Sequence, residues 1–236
     1  MRLALLTLLL AGCASFQHPI SPDRIRAIVT DPSRTAADRT NDQRRNPAEI
    51  LAFIGVREGW TVLDINAAGG YTAELLARAV GPEGRVYGQM SRPDPRLRVA
   101  ERAKTVQNLI PLVRPLTEPA PLEMESNAFD LVTLMFNYHD FANVDRAAMN
   151  KAIFNALKPG GYYVIADHSG RPGTGISESN TLHRIEEAFL RREVEAAGFR
   201  LAAEGTFLRN PNDPRDRETP EPAQPKDEFV LKYRKP

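Results

Sequence analysis

The stretch Val62–Thr72, VLDINAAGGYT, constrains this chain more than any other. An apolar run ends in an acid, a turn of small residues follows, and Tyr71–Val80 continues with apolar residues at helical spacing until Gly81-Pro82 stops it. That is a buried strand, a tight turn and a helix, and the pattern recurs. Thr61–Ile65, Arg85–Gly88, Asn108–Leu116, Phe129–Phe136, Tyr162–Asp167, Phe199–Phe207 and Phe229–Tyr233 read as strands. Asn46–Ile54, Pro95–Lys104, Asp145–Leu157 and Thr181–Ala197 read as further helices, the first opened by Asn46-Pro47. Pro111 weakens the third strand, whereas the fourth, FDLVTLMF, is apolar on both faces as a central strand should be. Strand–helix alternation predicts a doubly wound α/β fold: a mostly parallel, seven-stranded sheet with its last strand antiparallel. Ligands of such sheets bind outside the carboxyl ends of the strands, here the residues after Ile65, Gly88, Phe136 and Asp167.

Composition narrows the partners. With 31 Lys+Arg against 30 Asp+Glu, the chain is not a strongly basic nucleic-acid binder, and no nucleic-acid partner is expected. One cysteine makes neither an internal disulfide framework nor a thiolate zinc cluster. The 19 prolines exceed what one compact domain needs, and five of them fall in the segment 209–226. That segment joins the last two strands and reads as a lid, a binding loop or disorder at the ligand rim, with Arg209, Asn210 and Asp213 as candidate substrate contacts.

Residues 1–12, MRLALLTLLLAG, combine Arg2 with an apolar stretch too short for the roughly 20 residues of a membrane span. They match a secretory signal ending in small residues. Leu10-Ala11-Gly12-Cys13 resembles the lipobox of bacterial lipoproteins, which implies acylation of Cys13. The expectation is a periplasm-facing envelope protein, held to the membrane by that lipid. Ala14, where an aspartate would favour inner-membrane retention, points to the outer membrane. Residues 13–45 then read either as a tether with a short helix around Ile25–Val29, or as a cover in which Asp38, Arg39, Asp42 and Arg45 fold back over the ligand site.

The turn after the first strand has only Gly69 and Gly70, so it lacks the G-x-G-x-x-G of dinucleotide binders. No G-x-S-x-G elbow is present, which weighs against a serine hydrolase. His139-Asp140 follows the fourth strand, Asp167-His168 ends the fifth, and His183 begins the next helix. Each histidine alone is as well read as a hydrogen-bonded cap. Together they form either a catalytic group or a divalent-metal site, with His139, His168 and His183 as nitrogen ligands and Asp140 and Asp167 as oxygen ligands. Glu186 and Glu187 either orient His183 or face solvent, and Ile185, Phe189 and Val194 form a core stripe. Tyr162 and Tyr163 pack on the two faces of their strand, while Tyr138 at the rim is a candidate substrate contact with Asn137.

Strand, acid and glycine turn, then FDLV, then LKPGG and a strand, resemble the class I S-adenosylmethionine-dependent methyltransferases over residues 46–236. Asn137-Tyr138-His139-Asp140, Ala166-Asp167-His168-Ser169, Pro172-Gly173-Thr174-Gly175 and Thr181-Leu182-His183-Arg184 are similar to a group of exported, predicted methyltransferases. The resemblance implies a Rossmann-like methyltransferase fold and S-adenosylmethionine as cofactor. Asp64, Asn66, Ala68, Gly70 and Gln89 would hold it. Asp64 and Gly70 match the family turn D-x-G-x-G-x-G, whereas Asn66 and Ala68 replace two of its glycines. Gln89 and Met90 stand where the family has a ribose-binding acid. The implied activity is methyl transfer to a small or envelope substrate, with His139 or His168 as base, beside Asp140 and Asp167, and His183 nearby. The alternative is a non-catalytic or metal-dependent binding lipoprotein that has lost the donor.

Overall fold

The computed structural model describes residues 18–93, 98–218, 220 and 224–236. The expected signal at 1–12, Cys13 and the start of the helix expected at Pro95 lie outside the described residues. Among the described residues no helix is long and apolar enough to cross a membrane.

Seven strands form one sheet: β1 Thr61–Ile65, β2 Arg85–Met90, β3 Leu109–Val113, β4 Phe129–Met135, β5 Leu157–His168, β6 Arg200–Gly205 and β7 Glu228–Arg234. Their order is β3-β2-β1-β4-β5-β7-β6. β1 to β5 pair in parallel, and β7 runs antiparallel to both β5 and β6. This is the expected doubly wound α/β sheet. Winding proceeds one way from β1 to β3 and the other way from β4, so the switch point lies between β1 and β4. Register places Asp64 beside Gly88 on one side and Thr133 on the other.

Side chains alternate between the two faces of the sheet. Val62, Leu131, Val164 and Val230 pack under α1 (Pro22–Val29), α3 (Pro47–Ile54) and α4 (Tyr71–Val80). Leu63, Val132, Ile165 and Leu231 pack under α6 (Arg146–Ala156) and α8 (Glu187–Ala196). Each fully buried aliphatic side chain contributes about 1.5–3 kcal/mol, so both layers are held mainly by apolar burial.

β5 starts at Leu157, five residues before the strand expected from Tyr162, and two further elements differ from expectation. The helix expected over Thr181–Ala197 is two pieces, α7 (Ser179–Leu182) and α8. His183 is left-handed at φ +49° and ends α7. The next residues turn back to β5: the Ile185 N–H donates to the His168 carbonyl (3.1 Å), and the Gly170 N–H to the Ile185 carbonyl (2.7 Å). Burying Ile185 against the strand end breaks the helix. The other is α2 (Ala36–Arg45), a polar helix within the segment otherwise readable as a tether. It lies against the turn after β1, held by ion pairs described below.

Candidate active site

The turn after β1 is unusual in its backbone. Asn66, Ala68 and Gly70 all have positive φ (+51°, +46° and +74°). A left-handed alanine costs roughly 1–2 kcal/mol, while asparagine tolerates the region better. The two substituted positions therefore keep the conformation that glycine would give, and the turn retains its shape. Gly70 has a second reason to lack a side chain: a Cβ there would sit 2.8 Å from Arg102 Cδ.

Arg102, in α5 (Val99–Arg102), ties the neighbouring elements together. Its guanidinium bonds both carboxylate oxygens of Asp38 on α2 (2.7 Å each), Glu74 on α4 (2.5 Å) and the Gly69 carbonyl (2.5 Å). Farther along α2, Asp42 accepts from Arg34 (2.7 Å) and from the Tyr71 hydroxyl (2.6 Å). The Arg44 guanidinium reaches Glu228 at the start of β7 (2.9 Å). The helix thereby brings Arg45 over the switch point, with its guanidinium 4.4 Å from the Phe136 ring centre and 5.7 Å from that of Tyr71. Arg45 forms no hydrogen bond or ion pair with the described residues. Burial is the main cause that lowers its pKa to about 10, so it remains charged at neutral pH. Beneath it Asp64 is buried; its Oδ1 accepts from the Thr133 hydroxyl (2.6 Å). Burial raises the Asp64 pKa to about 7 against the opposing effects of Thr133, Arg45 and the Ala73 N–H. Between Arg45, Tyr71, Thr72 and Phe136 only about 10 Å³ of cavity remains.

The second end of the site is built on Asp167. This fully buried carboxylate accepts from the His139 N–H (2.8 Å) and the His168 N–H (2.8 Å), and lies 2.6 Å from His139 Nδ1. His139 Nε2 is 3.2 Å from Asp140, and His183 Nδ1 is 3.5 Å from the same Asp140 oxygen. Burial disfavours the His139 cation, but hydrogen bonds and charge from Asp140 and Asp167 outweigh it and raise the pKa to about 9. The same contacts hold the Asp140 carboxyl at about 2 against burial. His168 goes the other way: burial lowers its pKa more than Glu228 and Asp167 raise it. Its Nδ1 lies 2.9 Å from Glu228, at an angle too oblique for a full hydrogen bond. Phe136, at φ +62°, stacks its ring 5.6 Å from that of His168, linking the two ends. Strained backbone at Asn66, Ala68, Phe136 and His183 thus gathers at one rim.

Several expected contacts are redirected. Gln89 is fully buried; its Oε1 accepts from the Asn66 N–H (3.0 Å) and its Nε2 donates to the Arg114 carbonyl (2.6 Å). Both ends of its amide are used, so it braces the turn instead of presenting itself to a ribose. Tyr138 points inward, bonding Glu193 (2.9 Å) and Asn150 (2.8 Å), because its ring completes the core beneath α6 and α8. It is not a rim contact, whereas Asn137 stays at the rim, 3.3 Å from Asp140. Glu186 accepts from the Gly175 N–H and Glu187 pairs with Arg191 and Arg209, so Asp140 is the carboxylate beside His183. Asp213 is spent on a buried ion pair with Arg184 (2.9 Å) that pins the proline-rich loop. Arg209 and Asn210 line a cleft of about 570 Å³ with Arg44, Lys226 and Glu228. Much of their polarity is engaged by Asp227, Gln224 and the Pro225 carbonyl. The larger cleft, about 770 Å³, opens at the opposite end of the sheet between α1, α4 and the starts of β2 and β3, away from these groups. Glu228 was missed as a site residue, because the first residue of an antiparallel strand carries no local signal; Arg45 was expected only as part of the cover segment.

Residues 62–161 match the family model of the methyltransferase domain. Over 120 residues the chain is 32% identical to the ubiquinone/menaquinone biosynthesis C-methyltransferase of Hydrogenovibrio crunogenus, covering 50% of this chain and 46% of that protein. Over 116 residues it is 32% identical to the rRNA 2′-O-methyltransferase fibrillarin 1 of Arabidopsis thaliana, covering 48% of this chain and 35% of that protein. The chain thus spans less than half the length of these relatives. A S-adenosylmethionine-dependent methyltransferase from Aquifex aeolicus superposes with a TM-score of 0.60 at 19% identity, covering 91% of this chain and 98% of that one. The fibrillarin of Aeropyrum pernix, solved with S-adenosyl-L-methionine bound, gives 0.50 at 21% identity over 75% of this chain and 67% of that one. The fold is the Rossmann-like methyltransferase fold.

The raised pKa of Asp64 has a measurable consequence. Because the folded chain holds this proton more tightly than the unfolded chain, stability is lost as pH rises from about 4 through about 7. Asp64→Asn removes the titration while keeping an acceptor for Thr133. In urea denaturation the variant should match the parent near pH 4 and exceed it by about 2–4 kcal/mol at pH 8. Equal offsets at both pH values would contradict the buried, raised carboxyl.

Proposed function

We propose that the chain is a methyltransferase that takes S-adenosylmethionine at the switch point between β1 and β4 and methylates an acceptor at the ends of β4 and β5. The observation that carries this reading is a buried, titratable carboxyl and a guanidinium beside one turn that form no ion pair with each other. Asp64 and Arg45 face one small-residue turn, yet neither closes an ion pair with the other. When bound, the donor supplies a sulfonium-activated methyl group together with its own ammonium and carboxylate. An arginine fork suits a carboxylate, and a buried carboxyl suits an ammonium. The left-handed turn at Asn66, Ala68 and Gly70 keeps backbone, not side chains, facing that space. α2 is held by contacts other than those of Arg45, so the guanidinium can turn toward a ligand without undocking the helix.

At the acceptor end the two histidines divide the work. His139 is already protonated at neutral pH and cannot serve as a base. His168 is neutral, and with Nδ1 turned to Glu228 its Nε2 is the acceptor for a proton leaving the nucleophile. The cleft lined by Arg44, Lys226 and Glu228 has the size of a small-molecule site. The curated relatives are named for different acceptors, a quinone-pathway carbon and an rRNA 2′-oxygen, so their likeness supports the donor and leaves the acceptor to this chain's own rim. Residues 1–13 support an envelope location with Cys13 as the lipid anchor, and a small or envelope substrate follows from that place.

Calorimetric titration of the purified protein should give saturable, one-to-one binding of S-adenosylmethionine and S-adenosylhomocysteine. Arg45→Met should weaken both by about tenfold or more with an unchanged circular dichroism spectrum. No heat at high-micromolar ligand would contradict the donor reading. For the location, Cys13→Ser should move the protein from the membrane fraction to the soluble fraction of a bacterial host. Retention of the variant in the membrane fraction would contradict the anchor.

A further inference from the structure

We propose that His139, Asp140 and His183 form a binding site for one divalent transition-metal ion, independent of the donor. One nitrogen of each ring and one carboxylate oxygen lie within 4.8 Å of one another. Ligand atoms about 2.1 Å from a shared ion stand at most about 4.2 Å apart, so closing the site needs only small side-chain adjustments. The Asp140 oxygen is the pivot, 3.2 Å from His139 Nε2 and 3.5 Å from His183 Nδ1. The two rings lie with centres 5.7 Å apart and nearly perpendicular, close enough for one nitrogen of each to reach the Asp140 oxygen.

The supporting contacts are those a metal site requires. Asp167 holds His139 Nδ1 at 2.6 Å, which assigns Nε2 to the ligand position. That carboxylate is itself fixed by two backbone N–H groups, so the ring cannot swivel. The Ser179 hydroxyl bonds the His139 carbonyl, tying the first ligand to the short helix that ends at the third. His183 is placed by the left-handed break that ends α7 and by the return of residues 184–186 to β5. A continuous helix over 181–197 would carry His183 elsewhere, so the strained residue and the ligand position have the same origin.

His168 does not belong to this set. Its Nδ1 faces Glu228 and its ring is packed between Phe136 and His139. Of the ligands expected from the sequence, His139, Asp140 and His183 lie together, whereas His168 and Asp167 are turned to other partners. Asp140 and His183 are 42% and 46% exposed, which leaves coordination positions open to water or an acceptor oxygen. Two imidazoles and one carboxylate favour zinc, manganese, iron(II), cobalt or nickel over calcium and magnesium. As at any imidazole ligand, the metal competes with a proton for Nε2.

The test uses chelator-stripped protein without S-adenosylmethionine, so its outcome is separable from that of donor binding. Titration with Zn²⁺ by calorimetry, and with Co²⁺ by visible absorption, should show one equivalent per chain. His183→Ala and Asp140→Asn should each remove or weaken binding by about tenfold or more. Asp167→Asn should weaken it by about 10–100-fold, and His18→Ala, at an exposed histidine outside the site, should leave it unchanged. No saturable binding of either metal would overturn the proposal. So would binding that His183→Ala and Asp140→Asn leave intact while circular dichroism shows both variants folded.

Discussion

The rim of this sheet depends on how one guanidinium is held. Arg102 reaches past Gly70 to bond Asp38, Glu74 and the Gly69 carbonyl at once, and so joins α2, α4, α5 and the first turn. Ion pairs this far from water add little net stability once desolvation is counted, but they fix one arrangement against others. Here the arrangement matters more than the energy. With α2 docked, Arg45 stands over Phe136 and Arg44 meets Glu228; without it the switch point would be an open groove lined by apolar residues. Gly70 is part of the same device, since any side chain there would displace Arg102.

A second buried charge organises the other end. Asp167 accepts three hydrogen-bond contacts in a fully buried position, orienting the His139 ring and fixing the backbone N–H of His168. Their environments then push the two imidazoles apart, one held protonated by carboxylates, the other kept neutral by burial. Two titratable groups of one residue type thereby acquire different chemical roles within 5.3 Å. The Phe136 ring, strained at the end of β4, separates this pair from the charges above the first turn.

The strands were legible because their apolar runs are short, dense and bounded by glycine, and the first turn because its small residues follow an acid. Two of the histidines stood out for a related reason: His139 follows a parallel strand and His168 ends one, and parallel strands put their carboxyl ends on one rim. Residues whose partners are far away in sequence were not legible. The Asp38–Arg102 pair spans 64 positions and Arg44–Glu228 spans 184, so a polar helix with no apolar stripe left both tether and cover open and gave no sign of its partners. Tyr138 and Gln89 sit at rim positions in sequence but turn inward, because α8 offers Glu193 to one and the Arg114 carbonyl receives the other. The break at His183 was hidden by Ile185, Phe189 and Val194, whose spacing suits one long helix although Ile185 packs against the end of β5.

The central claim is that Asp64 and Arg45, which form no ion pair with each other, are the two halves of a donor site. A crystal structure of the protein soaked with S-adenosylhomocysteine tests it directly. The account predicts the ligand's carboxylate on the Arg45 guanidinium, its ammonium at Asp64, and α2 still joined to Arg102. A ligand seated in the cleft at the opposite end of the sheet, or one bound with Arg45 still stacked on Phe136 and Asp64 untouched, would contradict it.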